Sequence, residues 1–252
     1  MKSLLSVLSL FVLVSTAPAA VLVNYTFSGT PTGNLYNPTN TNSELFPSNV
    51  ASNTTASNIA QFGPIAWRFQ STAGIGMSIY PGNTAVNSST STGTAITSAS
   101  AAVLQGSYFN FTLTAGGGFQ LNMSSLTFDA SKGGATSRGF AIQTSATGFS
   151  TDGSTNVNAS GVVSAGTFTA ISNTFVFPTT SAITLDLSGS SYQGLSSLEI
   201  RIFSYSPLTS ASLEYDNFAL NGSVVSVPEP ATWALLAGAG TTLVVLRRRR
   251  RS

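Results

Sequence analysis

The chain contains neither cysteine nor histidine, and charged residues make up only 7% of its 252 positions. These absences exclude a thiolate nucleophile, a disulfide framework, an imidazole base and a zinc site of the usual nitrogen and sulfur type. A stable fold must therefore depend on an apolar core and on hydrogen bonds. A domain of about 200 residues is large enough to supply both.

The few charges are unevenly distributed along the chain. Lys2 and the arginines at 247–251 lie near the termini, whereas residues 21–227 carry four bases and seven acids, so their net charge is 4 − 7 = −3. The sequence pI of about 9.1 therefore reflects the terminal segments and not a basic surface on the folded body. Nucleic-acid binding needs a clustered basic face, so we do not expect nucleic acid as a partner.

Residues 1–19 have the organisation of a secretory signal peptide. Lys2 is followed by an apolar run at 4–14, and Ala17-Pro18-Ala19 offers the small residues that a signal peptidase accepts. We predict a helical signal peptide that signal peptidase removes after Ala19 or Ala20. An uncleaved anchor is the alternative, but the apolar run is short for a bilayer span.

The C-terminal segment is built in the reverse order. Pro228 and Pro230 end the folded body, because proline cannot continue a strand or helix ladder. Residues 231–246 are uncharged and are followed by Arg247, Arg248, Arg249, Arg250 and Arg251. As a helix this segment would span about 24 Å, which makes it a marginal transmembrane helix. The positive-inside rule orients the arginines to the cytoplasm and the body to the opposite side of the inner membrane.

Val227-Pro228-Glu229-Pro230, the apolar run and the arginine cluster, in this order, resemble the PEP-CTERM sorting signal of exported bacterial proteins. The resemblance covers residues 227–252. It implies that exosortase, a membrane-embedded transpeptidase-like enzyme, recognises Pro-Glu-Pro and removes the tail. The protein would then be anchored transiently in the inner membrane before it reaches the cell surface or outer envelope or is secreted.

Residues 20–226 are predicted to form an all-β body, an antiparallel β-sandwich of jelly-roll type flanked by the two terminal helices. Apolar residues alternate with polar ones, and no helical period is sustained. Long loops are expected at 30–58 and 83–100, and turns at 116–118, 132–134, 152–153 and Asn221-Gly222. Strands are predicted at residues 21–27, 65–69, 76–80, 108–113, 119–128, 139–145, 167–171, 182–187, 197–205 and 211–221.

Residues 109–225 are also similar to the β-sandwich bodies common in PEP-CTERM proteins. The similarity lies in the strands around 119–128, in Thr147-Gly148-Phe149 and in the terminal Asp216-Asn217-Phe218. It implies a fold and no mechanism.

Three carboxylates are candidates for chemistry. Glu214 and Asp216 alternate on one predicted strand, and Glu199 lies on the expected neighbouring strand, so a pair at the separation that glycoside hydrolysis needs is conceivable. No motif links them, and a solvated or structural role is the simpler interpretation. We also expect Glu214 and Asp216 to share a strand face with Phe218 and Leu220.

Calcium is the second hypothesis for this strand. Glu214, Asp216 and Asn217 offer the hard oxygen ligands that calcium prefers, and the strand is similar to the last strand of jelly-roll carbohydrate-binding modules. The alternative is an aspartate that only accepts hydrogen bonds at a strand edge. No cofactor other than structural calcium is expected.

The leading hypothesis is a non-enzymatic protein of the surface or extracellular matrix. The alternatives are a carbohydrate-binding module for an extracellular polysaccharide and, last, a glycoside hydrolase. A sugar-binding face needs exposed aromatic rings beside polar groups. The candidate rings are Trp67, Tyr80, Tyr108, Tyr192 and Tyr205.

Overall fold

The structure, a computed structural model, describes residues 19–27, 35–36, 45–69, 76–82, 93–132, 138–149, 162–163 and 181–227. Several predicted elements lie outside these residues. They are the signal-peptide helix at 1–19, of which only residue 19 is described, the helix at 231–246, the strand at 167–171 and the turn at 152–153. The Pro-Glu-Pro motif and the arginine tail also lie outside them. Only Val227 of the sorting segment is described.

Most of the described residues are in strands, as the alternating pattern predicts. The predicted strands at 65–69 and 197–205 have the observed bounds, and the others among the described residues differ from the prediction by a few residues at their ends. The one α-helix of the described residues is α1 (Ala99–Leu104). The strands are β1 (Ala20–Tyr25), β2 (Leu35–Tyr36), β3 (Asn49–Val50), β4 (Thr54–Ala56), β5 (Ala60–Phe62), β6 (Ile65–Phe69), β7 (Met77–Pro81), β8 (Tyr108–Ala115), β9 (Phe119–Lys132), β10 (Gly139–Thr144), β11 (Val162–Val163), β12 (Ser181–Asp186), β13 (Ser197–Tyr205) and β14 (Leu213–Ser226).

The strands form two sheets. The first sheet has the order β11-β12-β9-β14-β7-β6-β2, with β1 paired to β14 and to β3. The second sheet has the order β10-β13-β8-β4, with β5 also paired to β8. The pairings are antiparallel except for the short parallel contact between β11 and β12. The prediction of an all-β fold with antiparallel sheets is confirmed.

The two sheets pack face to face over one apolar core. Phe218 of the first sheet lies against Phe109 and Phe111 of the second, with ring centroids 5.9 Å apart in both pairs. Phe140 of the second sheet packs edge-on against Phe128 of the first at 5.5 Å. Such aromatic pairs add to the burial of apolar area, which is the main favourable term in folding.

The central strand β14 contains a β-bulge at Asp216 and Asn217. Asp216 is opposite Asp129 of β9, whereas Ala219 is opposite Thr127, so β14 has one extra residue at this point. Asn217 occupies the left-handed region at φ 54°, which asparagine tolerates better than most residues. The bulge falls where the neighbour of β14 on one side changes from β7 to β1.

The bulge overturns the expected facing of the last strand. Tyr215 and Phe218 both point into the core, so Glu214 and Asp216 lie on the outer face while Phe218 and Leu220 lie on the inner face. The expectation that all four share one face was wrong. A strict period of two does not survive an inserted residue.

The prediction of a turn at Asn221-Gly222 was also wrong. Both residues lie within β14, which continues to Ser226, and the irregularity there is a shift of register against β9. Gly222 is needed because an added Cβ would collide with the backbone carbonyl of Asn122. Close approach of two strands, and not a reversal of the chain, explains this glycine.

The segments expected to be long loops contain short elements where they are described. Strands β2, β3 and β4 lie within 30–58, and α1 begins at the end of 83–100. Ser98 caps α1 by accepting a hydrogen bond from the backbone N–H of Ala101 at 3.1 Å. The helix packs on the outer face of the second sheet, where Ala99 and Ala102 join Phe203 in a second apolar cluster.

Candidate functional sites

The three candidate carboxylates lie on opposite sides of the protein. Glu199 alternates with the buried Leu198 and Ile200 and therefore faces outward from the second sheet. Glu214 and Asp216 face outward from the first sheet. The expectation that Glu199 lies on a strand next to β14 was wrong, because the chain crosses from one sheet to the other between β13 and β14. Glu199 therefore cannot act with Glu214 or Asp216 on one substrate bond.

Glu199 is the acceptor in a small polar network. Its Oε1 atom accepts hydrogen bonds from Nε of Arg201 at 2.8 Å and from Nδ2 of Asn110 at 2.9 Å. Burial by itself raises the pKa of Glu199, but these hydrogen bonds and the charge of Arg201 outweigh it, so its pKa lies below the ordinary value. The carboxylate is thus ionised and engaged at neutral pH.

Glu214 is buried beside a buried arginine. Ser212 donates from Oγ to Oε1 of Glu214 at 3.5 Å, and Arg138 donates from Nη1 to the carbonyl oxygen of Ser212 at 2.5 Å. Burial lowers the pKa of Arg138, whereas the negative charge of Glu214 raises it. A buried carboxylate opposite a buried guanidinium is a structural arrangement, because each charge compensates the desolvation of the other.

Asp216 and Asn217 stabilise the bulge. Asp216 Oδ1 accepts hydrogen bonds from the backbone N–H of Asn217 at 2.7 Å and of Phe27 at 3.3 Å. The side-chain amide of Asn217 donates to Oδ2 of Asp129 at 2.7 Å. Glu214 instead accepts a hydrogen bond from Ser212 and acts electrostatically on Arg138, so the expected calcium ligands have separate roles. In the part of the chain that the structure describes, no three acidic residues are grouped as a metal site. Calcium at this strand stays a prediction.

The outer face of the second sheet presents aromatic rings around Tyr108, and the others were not among the candidate rings of the sequence. Phe62 is 45% exposed and stacks on Tyr108, with centroids 4.9 Å apart and an interplanar angle of 22°. The guanidinium of Arg201 lies 5.0 Å from the Tyr108 ring centroid and 3.6 Å from that of Phe149. We call Phe62, Tyr108, Phe149 and Arg201, with Asn110 and Glu199, the aromatic patch.

Phe149 enters this patch through an unusual backbone. It has φ 50°, directly after Gly148 at φ 70°, and its N–H donates to the carbonyl oxygen of Thr144 at 3.0 Å. A positive φ is uncommon for a bulky residue and costs free energy. The only sequence signal for this position was the Thr147-Gly148-Phe149 motif.

The other predicted rings have different positions. Tyr192 is buried and Tyr205 is partly buried, and burial raises the pKa of both side chains. Tyr80 is partly buried on β7 of the first sheet, and the side chain of Trp67 lies outside the described part of the chain. Of the five predicted rings, the structure therefore places Tyr108 in the aromatic patch.

The folded body ends close to the predicted sorting signal. Strand β14 ends at Ser226, and the N–H of Val227 donates to the carbonyl oxygen of Gly118 at 2.8 Å, in the turn between β8 and β9. Val227 is 40% exposed. Within the described ranges, the structure has no helix that is long and apolar enough to span a bilayer.

These observations define a class of protein: a two-sheet β-protein in which the central strand β14 is followed by a C-terminal signal. Residues 226–251 match the PEP-CTERM protein-sorting motif. The resemblance noted in the sequence is thus confirmed for about a tenth of the chain, and it supports an exported protein that is sorted by exosortase. No curated protein and no solved structure matches the chain.

Proposed function

We propose that the protein is a non-enzymatic component of the cell surface or extracellular matrix, exported through its signal peptide and processed by exosortase. The observation that carries the proposal is the sorting motif at residues 226–251, which begins where β14 ends. The signal therefore follows a folded body directly, as expected for a label that is removed from a finished cargo. Before processing, the segment at 231–246 holds the body at the inner membrane.

The intact mass and the location of the protein in its own cell test this proposal. We expect the mature protein to lack residues 1–19 and the arginine tail, and to accumulate outside the inner membrane. In a strain without exosortase, the tail should remain and the protein should stay with the inner membrane. The same mass and location in both strains would overturn the proposal.

We also propose that the body is a jelly roll, and the strand order supports this. In an eight-stranded jelly roll, one sheet has the first, last, third and sixth strands in this order, and the other sheet has the second, seventh, fourth and fifth. If β7 is the first strand of the jelly roll and β14 is the last, the first sheet has the required order, β7-β14-β9-β12. The second sheet contains β8-β13-β10 in this order.

The non-enzymatic role has support in the state of the carboxylates. Glu199 is held by Arg201 and Asn110, and Glu214 is buried beside Arg138. Asp216 accepts two backbone hydrogen bonds at the bulge. A general acid or nucleophile needs an accessible carboxyl group with a partner across the substrate, and these three groups have structural partners instead.

A carbohydrate-binding role is the second candidate, and the aromatic patch favours it. Exposed rings can stack on sugar rings, while Arg201 and Asn110 donate and Glu199 accepts hydrogen bonds from hydroxyl groups. Because Arg201 and Glu199 form an ion pair at 2.8 Å, the patch suits a neutral polysaccharide better than a charged one.

Affinity electrophoresis through gels that contain the cell's own extracellular polysaccharide tests this candidate. Phe62→Ala and Phe149→Ala should abolish the retardation seen for the parent protein. Phe46→Ala is the matched control, because Phe46 is similarly exposed, at 42%, and is not part of the patch. Equal migration of the parent protein with and without polysaccharide would remove the carbohydrate-binding candidate and leave the sorting proposal intact.

A further inference from the structure

The first and last strands of the body place both of its termini at the same end of the first sheet. Strand β1 pairs with β14 in antiparallel register, with Ala20 opposite Gly222 and Tyr25 opposite Phe218. The start of β1 therefore lies beside the finish of β14. Residues 19 and 227, where the two predicted targeting segments join the body, emerge close together.

Three connecting segments lie at this same end, and hydrogen bonds join them. The N–H of Val227 donates to Gly118, and the N–H of Gly116 donates to the carbonyl oxygen of Asn53 at 2.7 Å. Ala115 donates to Ser196 at 2.8 Å, just before the turn. We call residues 51–53, 116–118, 193–196 and 222–227, with Ala20, the terminal end of the body.

The terminal end has a distinctive composition, because its residues include no charged side chain. Glycine, serine, asparagine and small apolar residues make up most of it. Two acids border this end: Glu199 lies two residues into β13, and Asp186 ends β12 at the level of Asn221. Arg138 and Glu214 lie towards the opposite end. An uncharged surface approaches anionic lipid headgroups without the repulsion that the net negative body would otherwise meet.

The tether between this end and the membrane is short. Three residues, Pro228, Glu229 and Pro230, separate Val227 from Ala231, the first residue of the apolar segment. Even fully extended, the four Cα-to-Cα steps from Val227 to Ala231 span at most about 14 Å. The terminal end must therefore lie near the headgroups for as long as the C-terminal segment stays in the bilayer.

We propose that the terminal end is the surface that faces the membrane and its embedded exosortase before processing, with Phe62 and Tyr108 of the aromatic patch at the end of the body away from the bilayer. This inference rests on the proposed function, since it requires the tethered precursor. It adds an orientation that the sorting motif alone does not specify. Tyr108 and Phe62 lie at the opposite ends of β8 and β5 from the terminal end, so these two rings are free for a partner outside the cell. Glu199 and Phe149 of the patch lie nearer the terminal end, beside the start of β13.

Because the chain has no cysteine, single cysteines can report the orientation. Gly117→Cys introduces a thiol at the terminal end, where an added Cβ meets no other atom. Leu104→Cys is the matched position at the opposite end, since Leu104 is 87% exposed. Both full-length variants are produced in a strain without exosortase, and each is labelled with a small maleimide and with a bulky polyethylene-glycol maleimide.

We expect the ratio of bulky to small labelling to be several-fold lower at position 117 than at position 104 in the membrane-bound precursor. In the parent strain, where the processed protein is released from the tether, the two ratios should become equal. A flexible Gly-Ser insertion of roughly ten residues after Val227 should also equalise them, because it adds about 17 Å of mean reach.

Equal ratios in the membrane-bound precursor would overturn the proposed orientation. The proposed function fails separately, when the mass of the protein is the same with and without exosortase. Circular dichroism melts of the purified cysteine variants check that each keeps the parental fold, so a low ratio at position 117 reports access and not misfolding.

Discussion

The rings of Tyr215 and Phe218 lie 6.0 Å apart on the same inner face of β14, although the two residues are three positions apart in a strand. In a regular strand, side chains three positions apart point to opposite faces. The extra residue in the bulge at Asp216 and Asn217 shifts this alternation by one position, so the side chain of Phe218 points into the core as that of Tyr215 does. The aromatic cluster around Phe218 thus depends on a two-residue irregularity of the backbone.

Substitution of Asn217 tests the importance of this bulge. Asn217→Ala should lower the free energy of unfolding by about 1–3 kcal/mol, because alanine is disfavoured at positive φ and the hydrogen bond to Asp129 is lost. Asn217→Gly loses the same hydrogen bond but fits the backbone, so it should cost less. Urea unfolding of both variants measures the difference. A glycine variant less stable than the alanine variant would contradict this account of the bulge.

The buried hydroxyl pair of Ser204 and Tyr215 gives a second prediction. The two oxygens lie 2.8 Å apart and join the two sheets. Tyr215→Phe leaves the Ser204 hydroxyl buried without its partner and should lower the free energy of unfolding by about 1–3 kcal/mol. Ser204→Ala should lower it by a similar amount, because it leaves the Tyr215 hydroxyl without its partner. The double variant should be clearly less destabilised than the sum of the two. Strict additivity in this double-mutant cycle would show that the pair is not coupled.

Two glycines allow a matched test of strand packing. Gly222→Ala forces a methyl group against the backbone of Asn122 and Met123, so we expect a loss of about 1–3 kcal/mol, as for other overpacked sites. Gly117→Ala places the same group in open space and should leave the melting temperature nearly unchanged. Similar melting temperatures for the two variants would show that β9 and β14 can separate without penalty.

The ion pair between Glu199 and Arg201 predicts a dependence on pH. The folded-state pKa of Glu199 is lowered from 4.5, so the unfolded chain binds the proton more readily. Stabilisation is therefore present above about pH 4.5 and is lost as the pH falls through the folded-state pKa. At pH 7 it should amount to at most about 1 kcal/mol, because both side chains are partly exposed.

Thermal melts of the parent protein and of Glu199→Gln measure this dependence. The parent should melt at a higher temperature at pH 7, and the difference should shrink in acid. An undiminished difference at pH 3 would mean that shape and not charge determines the effect of the substitution.

Much of the sheet structure could be predicted because alternation and turn residues agree. In β13, apolar Leu198, Ile200 and Ile202 alternate with Glu199 and Arg201, and the observed strand has the predicted bounds. The strand and turn predictions are less accurate wherever long-range strand pairing overrides a local sequence signal. Asn221-Gly222 is typical of a turn, but pairing with β1 and β9 keeps it in a continuous strand.

The positions of the candidate groups depended on topology, which alternation does not encode. Strands β13 and β14 are consecutive in the sequence and belong to different sheets, so Glu199 and Glu214 are separated by the core. The aromatic patch joins β5, β8, β13 and the segment after β10, and among its rings only Tyr108 had been predicted as a sugar-binding ring. Helix α1, with six residues, is too short for a helical period to be recognised.

The central position of β14 has a consequence for the time at which the protein can fold. This strand separates β9 from β7 and β1 and is the last element of the body to be synthesised and exported. Until it arrives, the inner edges of three strands lack their partner, and pairing β14 with β1 closes a loop of nearly the whole body. We therefore expect the chain to cross the membrane unfolded and to complete its first sheet only when the segment joined to the sorting motif emerges.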